Sequence, residues 1–142
     1  MTDSRLIFFH VGDCSFAVPL NEVREIVVAV AVTPVPGSRP PLEGVMIYQG
    51  EGVLPVFSLL SALGRASETA GGLVVVSELG GVFIGFRVEG IGGVVKRLEG
   101  DRLDKYQDEL KGRPGAIEGT FESGGRSLIV LSLSGVFQEV LR

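Results

Sequence analysis

The sequence predicts an all-β protein built from small sheets, on three observations. Valine and glycine each occur 21 times in 142 residues, and tryptophan is absent. Valine favours strands, and glycine at this frequency marks many turns rather than long helices. Apolar runs of strand length recur at short intervals, each closed by a glycine turn. Helical signals, by contrast, are few and short. A chain of this length fits one domain and buries roughly two-thirds of its unfolded surface.

Taken in order, residues 6–11 and 15–18 flank Gly12-Asp13 and form a first hairpin. Residues 45–48 and 53–57 flank Gln49-Gly50-Glu51-Gly52, a glycine-containing hairpin loop. Residues 73–78 meet 82–88 across Leu79-Gly80-Gly81, and Phe121 meets 126–133 across Glu122-Ser123-Gly124-Gly125. Four such hairpins imply a barrel or sandwich of antiparallel strands. Parallel βαβ units need crossover helices, for which there is no signal.

The clearest break is Thr33-Pro34-Val35-Pro36-Gly37-Ser38-Arg39-Pro40-Pro41, where four of nine residues are proline. Such a segment cannot donate a full ladder and runs extended. It reads as the connector between two small barrels, with the chain returning near residues 91–95. A polyproline ligand for another domain is the weaker reading. Leu59, Leu60 and Leu63 share one side of a short helix, with Ser58 as N-cap and Gly64 past its end. At the C-terminus Ser134 is placed as a cap, followed by Val136, Phe137, Val140 and Leu141 at helical spacing. Residues 96–113 hold 11 of the 30 charged side chains, six basic and five acidic. Leu103, Tyr106 and Leu110 form one helical face there, in what reads as a solvated excursion.

Counting excludes much chemistry. One cysteine, Cys14, forbids an intramolecular disulfide, and no basic residue adjoins it in sequence to lower its pKa. A single histidine and a single cysteine leave a zinc site dependent on carboxylates, so no metal is expected. His10 lies on the strand face of Leu6 and Phe8 and reads as a satisfied edge residue, with no G-x-S-x-G elbow to support a triad. Neither common phosphate-cradling loop occurs, and no cofactor is expected. The net charge of −4 and pI near 5.0 argue against a nucleic-acid partner. The longest apolar run, Ile26 to Val32, has seven residues, too few for a membrane-spanning helix. The first residues do not read as a signal peptide. The expectation is a soluble cytoplasmic protein, not an enzyme, that works by binding.

Several motifs, in order, carry a resemblance. The first hairpin ends in Phe16-Ala17-Val18-Pro19, followed by Val23-Arg24-Glu25-Ile26 and Thr33-Pro34-Val35-Pro36. A longer stretch runs Gly44-Val45-Met46-Ile47-Tyr48-Gln49-Gly50-Glu51-Gly52-Val53-Leu54-Pro55-Val56-Phe57-Ser58-Leu59. Gly85, Val88-Glu89, Val94-Val95 and Ile117-Glu118-Gly119 follow. This series resembles the CheW family of chemotaxis coupling proteins over nearly the whole chain: V-x-E-I, then G-V-x-N-L-R-G-x-x-[LI]-P-[VI]-x-[DN]-L, then G-x-x-V-D-x-V-x-x-V. The resemblance implies residues 1–142 as a single CheW-like domain of two small five-stranded SH3-like β-barrels sharing a core. It implies a non-catalytic adaptor between the cytoplasmic tip of a chemoreceptor and the regulatory domain of a CheA-type histidine kinase, with no membrane insertion of its own.

By the same resemblance, Val23, Glu25, Ile26, Val27, Val94 and Val95 line an apolar groove that receives the receptor tip. Glu25 is expected to be exposed at its polar edge. Gly44, Tyr48, Gln49, Gly50 and Leu54 are assigned to the kinase. There Tyr48 is either an exposed hot spot or a tyrosine half-buried at a barrel mouth, and Gly44 serves backbone geometry. The family's Asn-Leu-Arg-Gly is Ile47-Tyr48-Gln49-Gly50 here, so a charged donor is replaced by a neutral one. Two family acidic positions are Ser58 and Ser132. These departures leave two alternatives open. One is a CheW-fold module that has lost kinase coupling. The other is a small-ligand binder or enzyme using the inter-barrel cleft through Glu25, Glu89 and His10.

Overall fold

A computed structural model describes residues 5–29, 31–50, 52–63, 72–97 and 116–140. Their strands, in chain order, are β1 (Arg5–Val11), β2 (Cys14–Pro19), β3 (Glu25–Val28), β4 (Leu42–Tyr48), β5 (Gly52–Ser58), β6 (Leu73–Leu79), β7 (Val82–Val88), β8 (Gly90–Lys96), β9 (Ile117–Ser123) and β10 (Arg126–Leu131). They form two five-stranded sheets, ordered β8-β1-β2-β10-β9 and β3-β6-β7-β5-β4. All four glycine-turn hairpins are present. The fold is that of two small SH3-like barrels.

The two sheets repeat one plan. A lone strand lies antiparallel to a hairpin, and that hairpin is joined to a second one by a parallel pair, β2 with β10 and β7 with β5. The expectation of purely antiparallel strands is corrected here. A parallel pair needs no local crossover helix when its strands come from different hairpins, and each pair here does.

Alternation decides what each strand buries. Leu6 and Phe8 of β1 point into the first barrel, with Ala17, Phe121, Leu128 and Val130. Ile7, Phe9 and Val11, of opposite parity, join Phe16, Val75, Ile84, Phe86 and the helices in a core shared by both sheets. Strands buried on both faces read as continuous apolar runs, as β1 and β6 do. The second barrel encloses Met46, Tyr48, Leu54, Val56, Val74 and Val76.

Although β3 and β4 are the outer strands of the second sheet, its edges meet. Beyond β3 the chain brings Thr33 against Val45, with reciprocal backbone hydrogen bonds of 2.8 and 2.9 Å. Gly44 permits this approach. A Cβ there would run into the Thr33 carbonyl, and its φ is +159°.

The chain leaves the first sheet through a short 3-10 turn, Leu20–Glu22, rather than through residues 33–41. The proline-rich stretch instead joins β3 to β4 within the second sheet. The chain returns to the first sheet at Glu89, just before the expected 91–95. Glu22 fastens the crossover. Its carbonyl accepts the Ser77 hydroxyl at 2.5 Å, and its carboxylate accepts the Leu133 N–H at 3.0 Å. Burial pushes the Glu22 carboxyl above its usual pKa; the Leu133 N–H opposes this and the Glu118 charge adds to it.

Both family-departing serines turn out to be helix caps. Ser58 accepts from the Ser61 N–H at 3.2 Å and opens α1 (Leu59–Ala62). Ser132 accepts from the Gly135 N–H at 3.2 Å and opens α2 (Leu133–Val140). The cap expected at Ser134 therefore sits two residues earlier, and Ser134 bonds to Ser132 instead. Gly64, Leu103, Tyr106, Leu110 and Leu141 lie outside the described residues.

Candidate functional site

The residues expected to line one apolar groove sit in several environments. Val23 and Ile26 are partly buried against the shared core. Val27, of opposite parity to Ile26 on β3, packs into the second barrel, and Val95 packs into the first. Val94 is exposed. So is Glu25, as alternation predicted, but it is engaged: its carboxylate accepts the Tyr48 hydroxyl. Sequence reasoning missed Val28, the exposed valine of β3, at 61%. Val28 shares its strand face with Ile26, and both β3 and β8 are edge strands. Strand parity from Ile26 carries the signal for it.

The second set needs more revision. Leu54 is wholly buried and Tyr48 is 6% exposed, so neither presents a surface. The reading of Tyr48 as an exposed hot spot is corrected. Gly44, Met46 and Tyr48 lie inward on β4, while Ile47 lies outward. The Tyr48 ring meets Phe83 edge-on, with centroids 5.6 Å apart. Burial raises the Tyr48 pKa above 10, and the hydrogen bond to Glu25 adds to the shift. Gln49 and Gly50 are exposed at the hairpin tip with φ of +54° and +80°. Gly50 suits that conformation; for Gln49 it is unusual.

Around this tip lies a row that sequence reasoning overlooked. Ile47 pairs with Val53 across β4 and β5, and they are 66% and 60% exposed. Val82, 50% exposed, opens β7, which runs parallel to β5, and strand parity from the Val56–Gly85 pair puts it on the same sheet face as Val53. Three branched side chains on adjacent strands thus form one outward apolar row beside Gln49 and Gly50. Alternation from Gly44 would have marked Ile47 as the outward residue.

The cleft's titratable candidates are each otherwise occupied. The Glu25 carboxylate holds Tyr48, Glu89 accepts the Gly12 N–H at 3.1 Å, and His10 Nδ1 lies 3.1 Å from the Ser15 hydroxyl. Glu43, the residue just before Gly44, pairs with Arg87 at 2.7 Å. Among the described residues no helix is long and apolar enough to cross a membrane.

Comparison with known proteins fits this architecture. A family model of the CheW-like domain matches residues 5–141. "Chemotaxis protein CheW" of Thermotoga maritima is 24% identical over 142 residues, covering 99% of this chain and 91% of that protein. "Probable chemotaxis protein CheW" of Rhizobium etli is 32% identical over 95 residues, covering 66% and 61%. The crystal structure of the scaffolding protein TtCheW from Thermoanaerobacter tengcongensis aligns with a TM-score of 0.80 over 96% of this chain and 89% of that one. At 18% identity, that likeness concerns the fold. With ten strands in two sheets and a family match over almost its full length, this chain belongs to the CheW-like domain family.

Proposed function

We propose that this chain, as a single domain of two barrels, is a non-catalytic cytoplasmic adaptor coupling a chemoreceptor tip to the regulatory domain of a CheA-type histidine kinase. The observation that supports it most is that exposed aliphatic side chains stand on separate elements of the two sheets. Val28 and Val94 stand on the edge strands β3 and β8; Ile47, Val53 and Val82 stand beside the β4–β5 tip. Exposed apolar rows of this kind favour protein partners. An adaptor needs two such surfaces and no reacting groups.

The receptor is assigned to the β3 and β8 surface, where Val23, Glu25, Ile26, Val27 and Val95 shape the strands that display Val28 and Val94. A helical hairpin tip suits it, since apolar anchors on a helix dock into such surfaces. The kinase is assigned to Gln49, Gly50 and the aliphatic row, with Gly44, Tyr48 and Leu54 supporting the hairpin from within. With a neutral Gln49 in place of the family arginine, apolar contact carries more of the affinity, which favours a dedicated cognate kinase.

The test is a pair of variants at exposed positions. Val28→Asp is expected to abolish binding of a receptor cytoplasmic fragment while leaving kinase-domain binding within about threefold; Ile47→Asp does the reverse. A buried carboxylate costs a few kcal/mol. Equal loss of both partners in folded variants contradicts two separate surfaces.

A further inference from the structure

The second barrel closes between its outermost strands, and a side-chain hydrogen bond crosses that seam. β3 and β4 stand at opposite ends of the sheet order, yet the Tyr48 hydroxyl donates to the Glu25 carboxylate. The surroundings hold both ends. The Tyr48 ring is buried edge-on against Phe83. The Arg24 guanidinium lies 4.8 Å from the Phe83 ring centroid and 3.6 Å from the Glu78 carboxylate. Tyr48 immediately precedes Gln49, so its position fixes where the tip begins. Glu25 opens β3, the strand that displays Val28.

We propose that the Tyr48–Glu25 hydrogen bond couples the two docking surfaces, so that a receptor seated on β3 strengthens kinase binding at the β4–β5 tip. This rests on the adaptor reading above. Glu25 is solvent-exposed, whereas the Tyr48 ring is buried, and its part-buried hydroxyl loses a charge-assisted bond when the carboxylate moves away. A partner that orders β3 fixes the carboxylate, which fixes the phenol and hence the tip. The kinase domain then meets a hairpin whose ordering has already been met, which is positive cooperativity. The bond is a physical link between the elements, and Tyr48 acts as a positioning residue without touching either partner.

The experiment is a linkage measurement by calorimetry. Affinity for the kinase regulatory domain is measured with and without a saturating receptor cytoplasmic fragment, in wild type, Tyr48→Phe and Glu25→Ala. The ratio of the two affinities is the coupling, whatever each variant does to basal binding. Expected is an enhancement of about fivefold or more in wild type, falling below about twofold in Tyr48→Phe. Phenylalanine keeps the ring against Phe83, and a melting curve confirms the fold. Glu25→Ala removes the same bond from an exposed position and gives the same loss. No enhancement in wild type, or an equal enhancement in Tyr48→Phe, overturns the proposal. Binding of both partners without enhancement leaves the adaptor reading standing, whereas failure of both to bind wild type removes the adaptor reading and the coupling with it.

Discussion

Replacing Gly44 by alanine tests whether this motif glycine is a contact or a hinge of the barrel seam. The added Cβ points at the Thr33 carbonyl, which is backbone and cannot swing away as a side-chain tip would. Relief requires the strand to retreat, breaking the two hydrogen bonds between Thr33 and Val45. At about 1 kcal/mol each, these lose about 2 kcal/mol. Strain and loosened packing around Met46 and Val32 add about 1–2 kcal/mol. The expected loss is therefore about 3–4 kcal/mol, which lowers the melting temperature by roughly 10 °C for a chain of this size. Hydrogen exchange should locate the damage, with the Thr33 and Val45 amides losing protection before those of β6 and β7. Kinase-domain affinity, corrected for the folded fraction, should stay within about threefold. A stability loss below about 0.5 kcal/mol, or a specific loss of binding at unchanged stability, would refute the reasoning.

Other expectations follow from the same packing. Leu54→Ala, at a wholly buried position, should destabilise by about 2–5 kcal/mol, with binding lost only as the chain unfolds; denaturant titration separates the two. Glu22 has a raised folded pKa, so the native state holds its proton more tightly than the unfolded chain does. Its contribution is therefore most favourable in acid and is lost as pH rises through the folded value. Glu22→Gln keeps an oxygen for the Leu133 N–H and should be more stable than wild type at pH 7, the difference vanishing towards pH 4 in paired melting curves. Ser132→Ala should cost about 1 kcal/mol through the lost α2 cap, while Ser132→Asp should stay within about 0.5 kcal/mol; an equal loss in both would contradict the cap assignment.

Glycine turns made the hairpins legible, because a turn between two β-branched runs leaves few alternatives. The crossover was not legible. Leu20–Glu22 carries no compositional mark, whereas the proline run at 33–41 draws attention yet only joins two strands of one barrel. Tyr48 shows a different limit. Its place near a tip suggests exposure, but the inward parity of Gly44 and Met46 governs its side chain, leaving Ile47 outside. Ser58 was legible as a cap because a leucine-rich turn follows it, whereas Ser132 reads only as a lost charge until the helix it caps is seen. The closure of β3 onto β4 joins residues far apart in sequence, and no local pattern encodes it.

The most direct test of the two-surface account is whether one chain holds both partners at once. Sedimentation of the protein with a receptor cytoplasmic fragment and the kinase regulatory domain should reveal a ternary complex containing one copy of this chain. Displacement of either partner by the other would contradict it.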